Sequence, residues 1–182
     1  FDNEEVGSNT KQGAMSTFLK DVLHRINNGL GKTEEEYYQA IAKTFLVSCD
    51  NAHALHPNHP EKTDAVNYVT MNGGIVIKES ANQKYTTDAF SRALFTGVCQ
   101  NVNVPVQSFA NRSDSVGGST LGNLSNTQVS IHAVDFGLAQ LAMHSCFETA
   151  GVKDTEYAII ALKEFYETNV QIDEAESVCL EK

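Results

Sequence analysis

The sequence predicts a layered α/β domain: a central, mostly parallel or mixed sheet with helices on both faces. Three observations predict it. Short apolar runs suited to buried strands recur at residues 44–49, 75–78, 104–109 and 129–134. Stretches with apolar residues at helical spacing lie between or beside them, at 15–26, 90–98 and 154–168. Cap and turn residues mark the boundaries, and strands that alternate with helices in this way build layered sheets rather than bundles or sandwiches.

In chain order, Phe1-Asp2-Asn3-Glu4-Glu5-Val6-Gly7-Ser8 sets two adjacent carboxylates where an apolar start gives way to Gly-Ser, which reads as a strand end facing a cleft. Met15, Phe18, Leu19, Val22, Leu23 and Ile26 then predict a core-facing helix, ended by Asn27-Asn28-Gly29. Thr33-Glu34-Glu35-Glu36 is a capped helix start. The buried strand at 44–49 delivers Asp50 to its C-terminal end, the edge at which open α/β sheets bind ligands. Residues 57–67 read as a polar loop, and Gly73-Gly74 leads into a strand that ends at Lys78. Thr87-Asp88 caps a helix carrying Phe90, Ala93, Leu94 and Val98.

After the strand at 104–109, the stretch from Arg112 to Gly122 is polar and glycine-rich. Its glycines permit close backbone approach to a substrate, although an ordinary turn before a helix has the same composition. It has neither the lysine of a phosphate loop nor dinucleotide spacing. The strand at 129–134 ends in Asp135-Phe136-Gly137, the following stretch carries His144, and an amphipathic helix spans 154–168. The acidic tail, 171–182, is expected to be peripheral. No internal repeat or low-complexity segment appears.

Composition limits the function classes. A chain of 182 residues buries a substantial core as one domain. A net charge of -10 without a basic run disfavours nucleic acid and anionic membranes. The four cysteines, Cys49, Cys99, Cys146 and Cys179, include no Cys-x-x-Cys pair, so a reduced, cytoplasmic protein is expected. No apolar run reaches the length of a membrane span. Because the chain starts at Phe1 with a site motif, it is expected to be part of a longer protein.

Taken alone, a Glu-Glu pair is usually solvated surface, and a lone Asp or His is usually a cap or a packing residue. Here Glu4-Glu5, Asp50 and His144 fall at three separate expected strand ends. Carboxylate and imidazole are zinc donors, and a two-metal site activates water for amide hydrolysis. Five ordered stretches carry a resemblance: 2–8, 50–58 (Asp50-Asn51-Ala52-His53-Ala54-Leu55-His56-Pro57-Asn58), 76–78 with Gln83-Lys84-Tyr85, 112–120, and Leu141-Ala142-Met143-His144-Ser145. Together they resemble the aspartyl aminopeptidase family of dinuclear zinc exopeptidases, over residues 1 to about 168.

The resemblance implies an enzyme that hydrolyses N-terminal Asp or Glu from peptides with two zinc ions, other divalent metals being alternatives. It implies that Glu4 is the general base, passing a proton from the attacking water to the departing amine. Glu5 and His144 would hold one zinc and Asp50 the other. Lys78 is the candidate partner for the acidic side chain of the substrate, with Arg112 next. His53 and His56 are candidates to orient substrate or brace Asp50, Tyr85 to polarise the scissile carbonyl, and Gly117 and Gly118 to supply amides. The family's first zinc-binding His, its bridging Asp and its dimerisation domain lie upstream of the first motif. Residues 1–170 are therefore expected to be the C-terminal half of a catalytic domain, belonging to a homo-oligomer built from dimers.

Two other readings compete. The chain could be a noncatalytic assembly fragment, inactive by itself. A serine hydrolase using Ser115, Ser119 or Ser145 is disfavoured, because no Gly-x-Ser-x-Gly elbow is present.

Overall fold

One four-stranded sheet sorts the side chains of this protein into an apolar face and a polar one. The structure is a computed structural model that describes residues 1–173 and 177–181. The strands are β1 (Phe45–Cys49), β3 (Ile75–Glu79), β4 (Val106–Ala110) and β5 (His132–Gly137). Their order is β1-β5-β3-β4, with β1 parallel to β5, β3 parallel to β4, and β3 antiparallel to β5. The sheet is thus mixed, as expected.

Alternation along each strand does the sorting. Ile75, Ile77, Val134 and Phe136 join Phe95, Leu94 and Val98 of α3 (Ala89–Asn101) and Ala158 and Ala161 of α5 (Val152–Glu167) in the main core. Burying each large apolar side chain here contributes about 1.5–3 kcal/mol. The opposite face carries Ser48, Lys78 and Asp135, all buried, together with Val76 and Phe109. The short helix α4 (Leu121–Ser125) lies on this second face, where the Gly122 amide donates to Ser48 Oγ at 3.1 Å. Helices therefore cover both faces.

Local sequence accounts for the helix starts. Asp88 caps α3, accepting from the Ser91 amide at 2.7 Å. Thr33 and Glu36 form a reciprocal capping box at the start of α2 (Glu34–Ala42). Hydrogen bonds from Lys32 and Thr33 draw the exposed Glu36 carboxyl down to about 2.

A second sheet has the order β2 (Ala52–His53), β6 (Ala139–Leu141), β7 (Thr149–Ala150), with β2 parallel to β6. It continues the ladder of the first: Asp50 donates its amide to Phe136 O at 2.8 Å and Ala52 its own to Leu138 O at 2.9 Å. At this passage a Cβ on Gly137 would run into the Asp50 carbonyl, so only glycine lets the two segments cross.

Three expectations are corrected. Glu4 and Glu5 sit in a bend, not at a strand end; Asn3 makes only an isolated bridge to Gly13. The surrounding Asn, Ser, Thr and Gly close turns instead, as in the Thr10 Oγ1 bond to Gly7 O at 2.6 Å. The first helix, α1 (Phe18–Gly29), is not core-facing: Phe18 and Ile26 are exposed. It packs on α2 through His24 stacked on Tyr37, with centroids 3.7 Å apart, and through Asn27 Nδ2 bonded to the Lys32 and Thr33 carbonyls. The tail is not peripheral. Its described residues form a hairpin of β8 (Asn169–Ile172) and β9 (Val178–Glu181), whose Val170, Val178 and Leu180 pack on the main core. No described helix is long and apolar enough to cross a membrane.

Candidate functional site

A cleft of about 280 Å³ opens on the polar side of the sheet and is lined by Glu4, Glu5, Asp50, His53, Lys78, Tyr85, Gly117, Gly118 and His144. All the candidate residues that the family resemblance named thus meet in one place except His56 and Arg112. Those two line a neighbouring cavity, which shares His53 with the cleft.

Four segments carry its acidic pair, Asp50, Lys78 and His144. The first bend supplies Glu4 and Glu5. Asp50 follows β1, where the chain passes from one sheet to the other. Lys78 belongs to β3, and His144 sits in the turn between β6 and β7. That turn holds two residues other than glycine in left-handed backbone, Ala142 at φ 56° and His144 at φ 67°. Such conformations cost energy and gather where a side chain must be aimed. The His144 amide donates to Glu148 Oε1 at 2.6 Å, which anchors the turn.

The geometry pairs the ionisable groups. His144 Nε2 lies 3.0 Å from Glu5 Oε2. Lys78, only 2% exposed, places Nζ 3.1 Å from Asp50 Oδ2 and 3.2 Å from the Asn51 carbonyl. An ammonium has three donors, so this arrangement leaves one for a further acceptor. Its Nζ also stands 5.2 Å from the centre of the Tyr85 ring. Desolvation in the cleft, then the negative charges of Glu5 and Asp50, raise the Glu4 carboxyl above the ordinary carboxylate value, against His144 and Lys78. Desolvation, helped by the positive charge of His144 and Lys78, lowers His53. Burial is the main cause that raises the Tyr85 hydroxyl.

Sequence reasoning missed two contributors. Asn111 donates Nδ2 to the Tyr85 oxygen at 2.9 Å, which leaves the phenol free to donate its own proton into the cleft. Gly117 packs against that Asn111 amide, which a Cβ would push aside. Asp135, wholly buried, ties Tyr85's neighbour to the glycine-rich loop: Oδ2 accepts from the Thr86 amide at 2.6 Å and from Thr120 Oγ1 at 2.7 Å. The available signal was a lone acid inside an otherwise apolar strand run.

Zinc takes nitrogen and oxygen donors of the kinds that Glu5, His144 and Asp50 provide. The Glu5 and His144 contact brings two of them within reach of one ion. Among the described residues no group of three His, Cys, Asp or Glu side chains converges on a single point. The donor chemistry therefore fits zinc, while the set supplied by these residues is incomplete.

Residues 1–166 match the family described as aminopeptidase I zinc metalloprotease (M18). The chain is 49% identical over 166 residues to a probable M18 family aminopeptidase 2 of Clostridium novyi, a match that covers 91% of this chain and 38% of that protein. It is 43% identical over 174 residues to aspartyl aminopeptidase 1 of Schizosaccharomyces pombe, covering 96% of this chain and 37% of that one. A chain of the cryo-EM structure of the Ape4 and Nbr1 complex superposes with a TM-score of 0.86 at 44% identity, over 90% of this chain and 31% of its own. A chain of the S. cerevisiae mApe1 dodecamer gives 0.76 at 28% identity, over 91% and 36%. This chain thus spans little more than a third of the length of those relatives. Because the family match runs through every segment that lines the cleft, the chain belongs to the aminopeptidase I zinc metalloprotease (M18) family.

Proposed function

We propose that the complete protein is an aminopeptidase that releases N-terminal Asp or Glu from peptides at a site holding two zinc ions, and that residues 1–170 are the C-terminal half of its catalytic domain. The observation that carries this reading is the approach of His144 to Glu5 at 3.0 Å, with Glu4 lining the same cleft. Glu5 and His144 would hold one ion and Asp50 the other, with the remaining donors supplied from sequence beyond these residues. When bound, zinc supplies Lewis-acid polarisation of the reacting groups.

The chain's own residues do the rest. Glu4 takes a proton from the attacking water and returns it to the departing amine, a task suited to a carboxylate of raised basicity. It must stay off the metals, since a ligating carboxylate is a poor base. The Tyr85 hydroxyl, freed by Asn111 to donate, and the amides of Gly117 and Gly118 face the oxygen on which charge develops. Lys78 offers its third donor to the acidic side chain of the substrate. His53 orients the bound peptide from the cleft wall, and His56 braces the loop beside it: its Nδ1 accepts from the Asn58 amide at 3.2 Å.

The kinship to the S. pombe aspartyl aminopeptidase supports the acidic preference, and the mApe1 dodecamer supports a homo-oligomer. Four free cysteines are consistent with a reducing, cytoplasmic setting. The test is to assay the complete protein on Asp, Glu and Leu p-nitroanilides and to measure its zinc content. Chelator-sensitive activity that favours Asp or Glu supports the reading. Equal turnover of Leu overturns the acidic preference, and chelator-resistant activity overturns the metal assignment.

A further inference from the structure

Asp135 is a fully buried carboxylate that the proposed chemistry does not use. It lies on the polar face of β5, in register with Ser48 of β1. Among the described residues it forms no ion pair, and its Oδ1 has no hydrogen-bond partner. A buried, half-satisfied acid is costly, which makes the bonds that it keeps important to the fold around it. All of them go to two loops. Oδ2 accepts from the Thr86 amide at 2.6 Å and from Thr120 Oγ1 at 2.7 Å, while the Asp135 amide donates to Thr87 Oγ1 at 2.9 Å. Thr86 follows Tyr85 directly, and Thr120 ends the loop that carries Gly117 and Gly118.

Both loops line the cleft, through Tyr85 on one and Gly117 to Thr120 on the other. They meet again on its rim, where Ser119 Oγ donates to the Lys84 carbonyl at 3.4 Å. Behind them, Asn126 Nδ2 bonds Thr86 Oγ1 and the Ile131 carbonyl, both at 3.0 Å. One carboxylate oxygen thus joins both loops to the rigid sheet. We propose that Asp135 is a positioning residue, whose buried carboxylate pins the Tyr85 loop and the glycine-rich loop to β5 and so sets where the Tyr85 hydroxyl and the loop amides stand relative to the substrate carbonyl. This rests on the reading of Tyr85 and the loop amides given above.

The test uses the complete protein. Asp135→Ala removes the tether; Asp135→Asn keeps one oxygen able to accept both bonds. Hydrogen exchange is measured on peptides covering 83–87 and 115–120, with 75–79 and 106–110 as references, alongside kcat and KM. In Asp135→Ala, exchange in the two loops should quicken roughly tenfold while the reference strands keep their protection. Misplaced polarising groups should lower kcat roughly tenfold or more, with KM little changed. Asp135→Asn should restore most of both losses. Adding Tyr85→Phe to Asp135→Ala should cost less than it does in the wild type.

Unchanged loop exchange overturns the proposal. So does quickening spread equally over the strands, or a loss additive with that of Tyr85→Phe, since either marks a general packing defect. If Asp135→Ala does not fold, Thr120→Val carries the test: it should release 115–120 and leave 83–87 protected, and unchanged protection of 115–120 overturns the tether. Should Tyr85→Phe by itself leave kcat untouched, the reading of Tyr85 fails, while the exchange data still decide the tether.

Discussion

His144 Nε2 stands 3.0 Å from Glu5 Oε2, although one residue comes from the first bend of the chain and the other from the turn after β6. Nothing local joins them. The β2-β6-β7 sheet holds the His144 turn beside the Asp50 exit, and both face the bend that carries Glu4 and Glu5. A nitrogen and an oxygen donor are brought together, at the expense of left-handed backbone at His144.

The donors among the described residues do not complete a zinc site, and that has a measurable consequence. The 182-residue chain by itself is expected to bind zinc weakly and to hydrolyse no aminoacyl substrate, because no three donors converge among its described residues. Calorimetric titration with zinc and an assay on Asp p-nitroanilide check this. Chelator-sensitive turnover matching that of the complete protein would contradict it.

Lys78 provides a test of substrate choice. Lys78→Met keeps most of the volume and removes the charge, so an acidic side chain would be desolvated with no partner. Losing one member of a buried charge pair costs about 2–5 kcal/mol, so the ratio of kcat/KM for Asp over Leu substrates should fall at least roughly tenfold in the complete protein. Zinc content should be unchanged. Loss of zinc with equal loss of both activities would instead make Lys78 a brace for Asp50, its 3.1 Å partner.

Packing behind the cleft is predicted to be intolerant of even one methyl group. A Cβ on Gly122 would lie 2.5 Å from Ser48 Cβ and 3.1 Å from Asp135 Oδ1. Gly122→Ala should therefore destabilise the fold by about 1–3 kcal/mol, measured by urea denaturation. A change below about 0.5 kcal/mol would mean that α4 does not seat on the sheet as described.

Much of this was legible in the sequence, for identifiable reasons. Apolar spacing marked α3 and α5, and the Thr33 and Asp88 caps announced the starts of α2 and α3. The strand exit at Asp50 and the placing of Lys78 near the end of β3 followed from the runs before them. What escaped was carried by weak or ambiguous signals. Strands as short as β2, β6 and β7 show no period to read. The tail's acidic residues masked the alternation of Val170 with Ile172 and of Val178 with Leu180. The spacing in α1 was helical, yet its apolar stripe joins neither core and leaves Phe18 and Ile26 exposed, because periodicity identifies a helix without identifying what covers it. Asn111 acts through one long-range bond and Asp135 through several, which no spacing reveals.

The central claim is that Glu4 moves the proton while Glu5, Asp50 and His144 hold metal, and substitution of Glu4 in the complete protein tests it most directly. Glu4→Gln preserves shape and removes the base. Measured together, zinc by atomic absorption and kcat on an Asp substrate should show full metal content with activity down roughly a hundredfold or more. Zinc lost along with activity would make Glu4 a ligand and reverse the roles of the pair; full zinc with activity intact would remove Glu4 from the chemistry.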